Sequence, residues 1–241
     1  MKIAGRHARA AAGLSAGLLG LALAASAGLA QDVTRNTMQP PQTWAQTVTK
    51  DPAAAGDVAL TPAQVETIKK VNAYFNAMIN LKGHFIQTSA DKKRQRGKIF
   101  VKRPGRFRFD YNAPSKMVIV SDGDYLAIQD LDLKTDDRVA LDQTPFRILL
   151  RKDVDLLRDA RIMDLQEAED LIVLTMQDKS PDAPGRIKLF IAKKPAMELK
   201  EWVTTDAQGL DTRVELMDLV TSEDIDQSIF KPAPVALQKI Q

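Results

Sequence analysis

The sequence predicts a mainly β fold: an antiparallel sheet of about 11 strands with a few helices lying on one of its faces. Three observations carry this. Runs of period-two sequence begin at His84, Gly97, Arg106, Met117, Asp124, Arg138, Arg161, Leu171, Arg186, Met197 and Leu210. They follow one another almost without pause, separated by turn signals such as "RPG", "SDGD", "DAPG" and "DAQG", so hairpins must connect them. Only one long stretch has helical spacing, and it precedes the first strand.

The chain opens with "MKIAGRHARAAAGLSAGLLGLALAASAGLA", which has the layout of a secretory signal over residues 1–30. Lys2, Arg6 and Arg9 form a basic start, Ala10 to Ala25 is apolar, and small-x-small cleavage sites follow. The apolar part is shorter than the roughly 20 residues a membrane span needs. Removing Lys2, Arg6 and Arg9 lowers Lys plus Arg from 34 to 31, equal to the 31 Asp plus Glu, so the expected mature chain is formally neutral. Residues 31–60 carry Pro40, Pro41, Pro52 and "PAAAG" with no sustained period, and are expected to form a flexible arm whose one large apolar residue is Trp44. The folded domain is expected over 61–241. It should start with a helix at "TPAQVETIKKVNAYFNAMINL", where Thr61 caps, Pro62 suits the first turn and Gln64 completes a capping box. Val65, Ile68, Val71, Phe75, Met78 and Ile79 share one face of it.

Within the strands the alternation separates two faces. Phe107, Phe109 and Tyr111 oppose Arg106, Arg108 and Asp110, and Ile187, Leu189 and Ile191 oppose Arg186 and Lys188. Two further helical pieces are expected, at "TPFRILLRK" and at "SEDIDQSIF". So long a sheet with one apolar face encloses more volume than two or three helices fill, which admits a lipid-sized cavity; a fully packed core fits the same pattern.

Enzyme chemistry has little to build on. There is no cysteine, hence no disulfide, thiol catalysis or lipid attachment through a terminal cysteine. The expected mature chain has one histidine, His84, with no ligand-like spacing around it, so no metal site is expected. Asp130, Asp132, Asp136 and Asp137 lack the glycine and closing glutamate of a calcium loop and read as a solvated hairpin. A Gly-x-Ser-x-Gly string at Gly13 to Gly17 sits inside the signal segment. No cofactor is expected. The basic run from Lys92 to Arg108 raises nucleic acid as a ligand. However, alternation puts Phe107 and Phe109 on the face opposite Arg106 and Arg108, whereas a base-stacking platform needs aromatics beside its cations.

The ordered set "GHFIQ" from Gly83, "GKIFVKRPGRFRFDYNAPSKMVIVSDGDYL" from Gly97, "TPFRILL" from Thr144, "LKEWVTTDAQGLDTRVEL" and "IDQSIFKPAP" resembles the outer-membrane lipoprotein carrier family, LolA. The resemblance implies an unclosed half-barrel of 11 antiparallel strands lidded by helices. It implies a monomeric periplasmic chaperone, without cofactor, that receives acylated lipoproteins from an inner-membrane ABC transporter and passes them to an outer-membrane receptor. It also implies that Arg103 of "KRP" locks the lid through helix backbone and that Phe107 contacts the partners. An acyl-chain cavity is expected to draw on Phe85, Phe100, Phe109, Tyr111, Val118, Val120, Leu126 and Ile128, with lid contributions from Val71, Phe75, Phe146, Leu149 and Leu150. After "SDG" this chain reads "YLAIQDLDL", losing two aromatics that family members often carry. The alternative is a lipid-sensing or protein-binding module of the same fold that uses its basic strand.

Overall fold

The computed structural model describes residues 59–234. The signal segment, almost all of the arm with Trp44, and residues 235–241 lie outside the described residues. Helix α1 (Pro62–Ala77) starts as its sequence requires: the Thr61 hydroxyl accepts from the Gln64 backbone N–H, and the Gln64 side chain accepts from Thr61 N–H. Its buried face is Thr67, Ile68, Val71 and Phe75. Met78, just past the end, is buried too, whereas Ile79 turns outward, because the helix has ended and the next residues enter a strand.

The strands are β1 (Asn80–Thr88), β2 (Arg94–Lys102), β3 (Arg106–Tyr111), β4 (Met117–Asp122), β5 (Tyr125–Asp130), β6 (Thr135–Ala140), β7 (Ala160–Glu167), β8 (Leu171–Asp178), β9 (Arg186–Ala192), β10 (Glu198–Thr205) and β11 (Asp211–Val220). They form one antiparallel sheet in the order β6-β5-β4-β3-β2-β1-β11-β10-β9-β8-β7. Every neighbour is a hairpin partner except β1 and β11, which join the two halves of the meander. The sheet stays open between β6 and β7. There the connecting residues 141–159 form a 3-10 turn, helix α2 (Arg147–Leu150) and helix α3 (Leu156–Asp159) in place of a hairpin. An unclosed half-barrel therefore follows from one long link between its two edges, and that link supplies helices to cover the sheet.

The helices share one core with the inner face of the sheet. Phe85 is fully buried there, edge-on to both Phe109 and Tyr111 at centroid distances of 4.9 and 5.1 Å. Its cross-strand partner is Gly97, and a Cβ at Gly97 would lie 2.7 Å from the Phe85 ring and 2.0 Å from the Asp110 carbonyl. Glycine makes room for that ring. The β2–β3 turn, Arg103 to Gly105, closes tightly because Gly105 adopts φ +74 beside Gly123.

The outer face carries charged residues and the packed C-terminal segment. The C-terminal 3-10 turn (Gln227–Phe230) lies across β3 and β4, with Phe230 buried and the Ile229 carbonyl accepting from Arg108 Nη1 at 2.8 Å. Arg108 also pairs with Asp110 at 2.8 Å, so one cation of the basic run is committed to holding the chain's own C-terminal segment. His84 is exposed and faces Asp218 at 3.4 Å. In the acidic hairpin, Asp130 accepts from the backbone N–H groups of Asp132 and Leu133, while Asp132 and Asp136 pair with Lys116 and Arg138.

Glu201 of β10 stands on the same outer face, opposite Glu215 and 2.8 Å from Arg213 Nε. Burial pushes its carboxyl up to about 7; Arg213 and Lys188 act against the shift, and Glu215 adds to it. A carboxyl raised by folding favours its neutral form, so its contribution to stability is full below the ordinary glutamate value and is lost as pH rises through 7. Glu201→Gln is expected to stabilise the protein by about 1–3 kcal/mol near pH 8 and by little near pH 4. Denaturant unfolding at both pH values checks this, and an equal effect at the two would contradict it.

Candidate functional site

Between the inner face and the helices lies a cavity of about 70 Å³. Its floor is Leu81, Ile99, Val101, Phe107 and Phe109 of β1 to β3. Leu199 and Trp202 of β10 form one wall, Phe75 and Met78 from α1 and its end form another, and Phe146, Leu149 and Leu150 at α2 close it. Every lining side chain is apolar or aromatic. Phe146 caps the space from the lid side, with its ring 5.9 Å from Trp202 and 6.4 Å from Phe107. A void of this size has room for about two water molecules and is under half of the roughly 150 Å³ that holds one benzene. A ligand larger than this enters only if the covering helices move.

Arg103 ties two covering segments to the sheet. Its guanidinium, on a residue only 8% exposed, reaches from the β2–β3 turn to two covering segments at once. Nη1 donates to the Phe75 carbonyl in the last turn of α1; Nε and Nη2 both donate to the Arg151 carbonyl, the former at 3.1 Å. Nη2 also lies 3.3 Å from Asn76 Oδ1 and 3.4 Å from the Lys152 carbonyl. Burial pulls the guanidinium below its ordinary value and Asp153 opposes that shift; an arginine nonetheless stays charged. Neutral backbone carbonyls at a helix C-terminus, rather than a carboxylate, solvate the charge. The next turn residue adds to this, with Gly105 N–H donating to the Leu150 carbonyl at 2.8 Å.

The two parts of the lid are tied together by asparagines four apart on α1. Asn76 exchanges both amide hydrogen bonds with Val154, at 2.8 and 2.9 Å, and the Leu156 N–H donates to Asn72 Oδ1 at 3.1 Å. Further anchors to the sheet are Thr67 to Glu167 at 2.8 Å, the Leu199 N–H to the Tyr74 hydroxyl at 2.9 Å, and Arg147 bidentate to Asp178 at 2.5 and 2.8 Å. None of these pairs is local in sequence.

Of the residues expected to line an acyl cavity, Phe75, Phe109, Phe146, Leu149 and Leu150 line this apolar void. Val71, Phe85, Tyr111, Leu126 and Ile128 belong to the surrounding inner core without reaching the void. Phe100, Val118 and Val120 are corrected: cross-strand pairing of Phe100 with Arg108 and of Arg108 with Val120 puts them on the outer face, and Val118 lies opposite Asp110. "KIFVK" and "MVIV" are unbroken apolar runs whose parity their own sequence leaves undecided. The pairs Ile99–Phe109 and Val101–Phe107 decide it. Phe107 is 6% exposed and sits in the cavity floor. Leu81, Ile99, Val101, Met78, Leu199 and Trp202 were not foreseen as lining. Leu199 and Trp202 are three apart and would face opposite sides of a regular strand, but a bulge between Leu199 and Glu201 turns both inward.

Residues 76–233 match the model of the outer membrane lipoprotein carrier protein LolA. The chain is 27% identical over 187 residues to the outer-membrane lipoprotein carrier protein of Halorhodospira halophila, covering 73% of this chain and 86% of the relative. It is 30% identical over 169 residues to that of Chromobacterium violaceum, covering 67% and 79%. A solved LolA superfamily protein from Nitrosomonas europaea superposes over 68% of this chain and 97% of its own at 11% identity and a TM-score of 0.39. With its open sheet of eleven strands, its lidded apolar cavity and the family match over most of its described length, this chain belongs to the LolA family of outer-membrane lipoprotein carrier proteins.

Proposed function

We propose that this protein is a periplasmic carrier that shields the acyl chains of lipoproteins in the space under its lid, taking them from an inner-membrane ABC transporter and delivering them to an outer-membrane receptor as a monomer without cofactor. The observation that carries this reading is a wholly apolar cavity closed by helices that Arg103 holds down. Burying one acyl chain of about 16 carbons gains on the order of 10 kcal/mol. A rigid open groove would hold such a ligand too tightly to give it up. A lid whose opening breaks the Arg103 hydrogen bonds offsets part of that gain, so binding stays reversible. Phe107, buried beneath Phe146 when the lid is shut, is assigned to transporter and receptor contact in the opened state.

A photo-crosslinking amino acid at Phe109 tests the reading. Acylated lipoprotein should label strongly, and the same protein lacking its lipids should not. Equal labelling of the two would move the function to a protein-binding surface.

A further inference from the structure

Trp202 carries the one hydrogen-bond donor among the cavity's lining side chains, and that donor is unused. The residue is 6% exposed, and its indole Nε1 is buried, shielded even from the cavity while the covering helices are in place, with no acceptor among the described residues. Its ring stands edge-on to Phe109 at 6.2 Å and to Phe146 at 5.9 Å, between the floor and the lid. The other lining residues offer hydrocarbon, aromatic rings and the thioether of Met78. Buried donors are almost always paired, and an indole N–H can only donate, so an orphan in this position calls for an acceptor that arrives from outside. The nearest backbone donor of the same wall is already committed, since the Leu199 N–H goes to the Tyr74 hydroxyl.

We infer that the Trp202 N–H receives a carbonyl oxygen of the cargo's acyl linkage once the lid has been displaced, making Trp202 a specificity-determining residue for acylated over purely alkylated ligands. This inference rests on the carrier reading. A carbonyl drawn with its chain into an apolar site loses its water, and a single prepositioned donor restores one hydrogen bond to it. The same orphan N–H penalises the closed, empty state, so its satisfaction on loading favours the filled form. The carbonyl can belong to an ester on a glyceryl group or to the amide of an N-acylated terminus; both present the same acceptor.

Three synthetic lipopeptides of equal chain length separate these cases: an S-(diacyloxypropyl)cysteine peptide, its dialkyl-ether counterpart, and the ether counterpart with an added N-acyl amide. Affinity is read as the ratio of the full-length protein to Trp202→Phe, so chain number cancels. Loss of ring area weakens all three alike, so the diester ratio is expected to exceed the diether ratio about fivefold, the size of one net hydrogen bond. A ratio for the N-acylated diether as high as that for the diester assigns the acceptor to the amide as well. Equal ratios for diester and diether overturn the inference. A second variant with benzothienylalanine at position 202 keeps the ring's shape without its N–H; it should repeat these ratios and leave the empty protein at least as stable, and a clear loss of stability overturns the inference too. If none of the peptides binds either protein, the carrier reading itself fails. Tight binding of all three with equal ratios leaves that reading standing without a role for Trp202.

Discussion

Arg103→Leu is expected to free the lid: the variant should bind an acylated peptide at least tenfold more tightly than the native protein while the empty fold loses about 2–4 kcal/mol. Both effects have one origin. Leucine fills part of the volume but leaves the carbonyls of Phe75 and Arg151 without the donor that joins them, and these belong to the two segments that cover the cavity. The closed empty state loses its cross-link, whereas the open loaded state, which has already given it up, loses nothing. Hydrogen exchange should quicken at the end of α1 and through residues 147–152, with the β8–β9 pairing unchanged. Titration with an acylated peptide and denaturant unfolding check the two magnitudes. Weaker acyl binding in the variant would mean that Arg103 supports the ligand-bound state instead, and Arg103→Lys is expected to fall between the two because an ammonium cannot span both carbonyls as a planar fork does.

A second large effect is expected at the other end of the lid. Asp178 is fully buried at its side chain, accepts both arms of the Arg147 fork and accepts from Ser180 N–H at 2.7 Å. This fork holds the start of α2 to the end of β8, and the carboxylate hydrogen bond raises the Arg147 guanidinium above its ordinary value. Asp178→Ala leaves a mostly buried cation unpaired and should cost about 3–5 kcal/mol, lowering Tm by roughly 10 °C for a domain of this size. The Arg147→Leu, Asp178→Leu double variant should regain much of the loss, since an apolar pair often replaces a buried ion pair at little cost. If the double variant were as unstable as Asp178→Ala, the fork would be doing more than compensating its own burial. Calorimetry on the native protein, Arg147→Leu, Asp178→Leu and the double variant gives the coupling directly.

Strand after strand could be read where a turn signal and a clean alternation coincide. Strands β3, β4, β8 and β9 begin where the pattern places them, and "RPG", Pro114 and "DAPG" stop the chain shortly before three of them, β3, β4 and β9. Strands β1, β2 and β6 begin earlier than expected: apart from Leu81, Asn80 to Gly83, Arg94 to Arg96 and Thr135 to Asp137 are polar or small, and pairing with a neighbour extends the ladder through them. Helix α3 was missed. Its four residues are too few to show a period, and it is held by the Asp155 cap and by Asn72 of α1. The "SEDIDQSIF" piece proved to be a 3-10 turn whose place depends on Arg108.

The sequence by itself determined the class of fold, the number of strands, the capped helix ahead of them and the sides of β3, because capping, turns and period-two alternation are local properties of neighbouring residues. It also singled out Arg103 and Phe107, through the resemblance carried by the "KRPGRFRFDY" stretch, and put Phe109 on the apolar face by alternation. Only the tertiary structure decided which half of "KIFVK" and "MVIV" faces inward, since the parity of an unbroken apolar run is set by the register of the strand beside it. Only the structure brought Leu199 and Trp202 into the cavity, because the extra residue of a bulge reverses the alternation that sequence reading relies on. And only the structure showed how small the space is: a cavity of about 70 Å³ is the volume left when helices from two distant segments meet over a sheet, and no local pattern records that remainder.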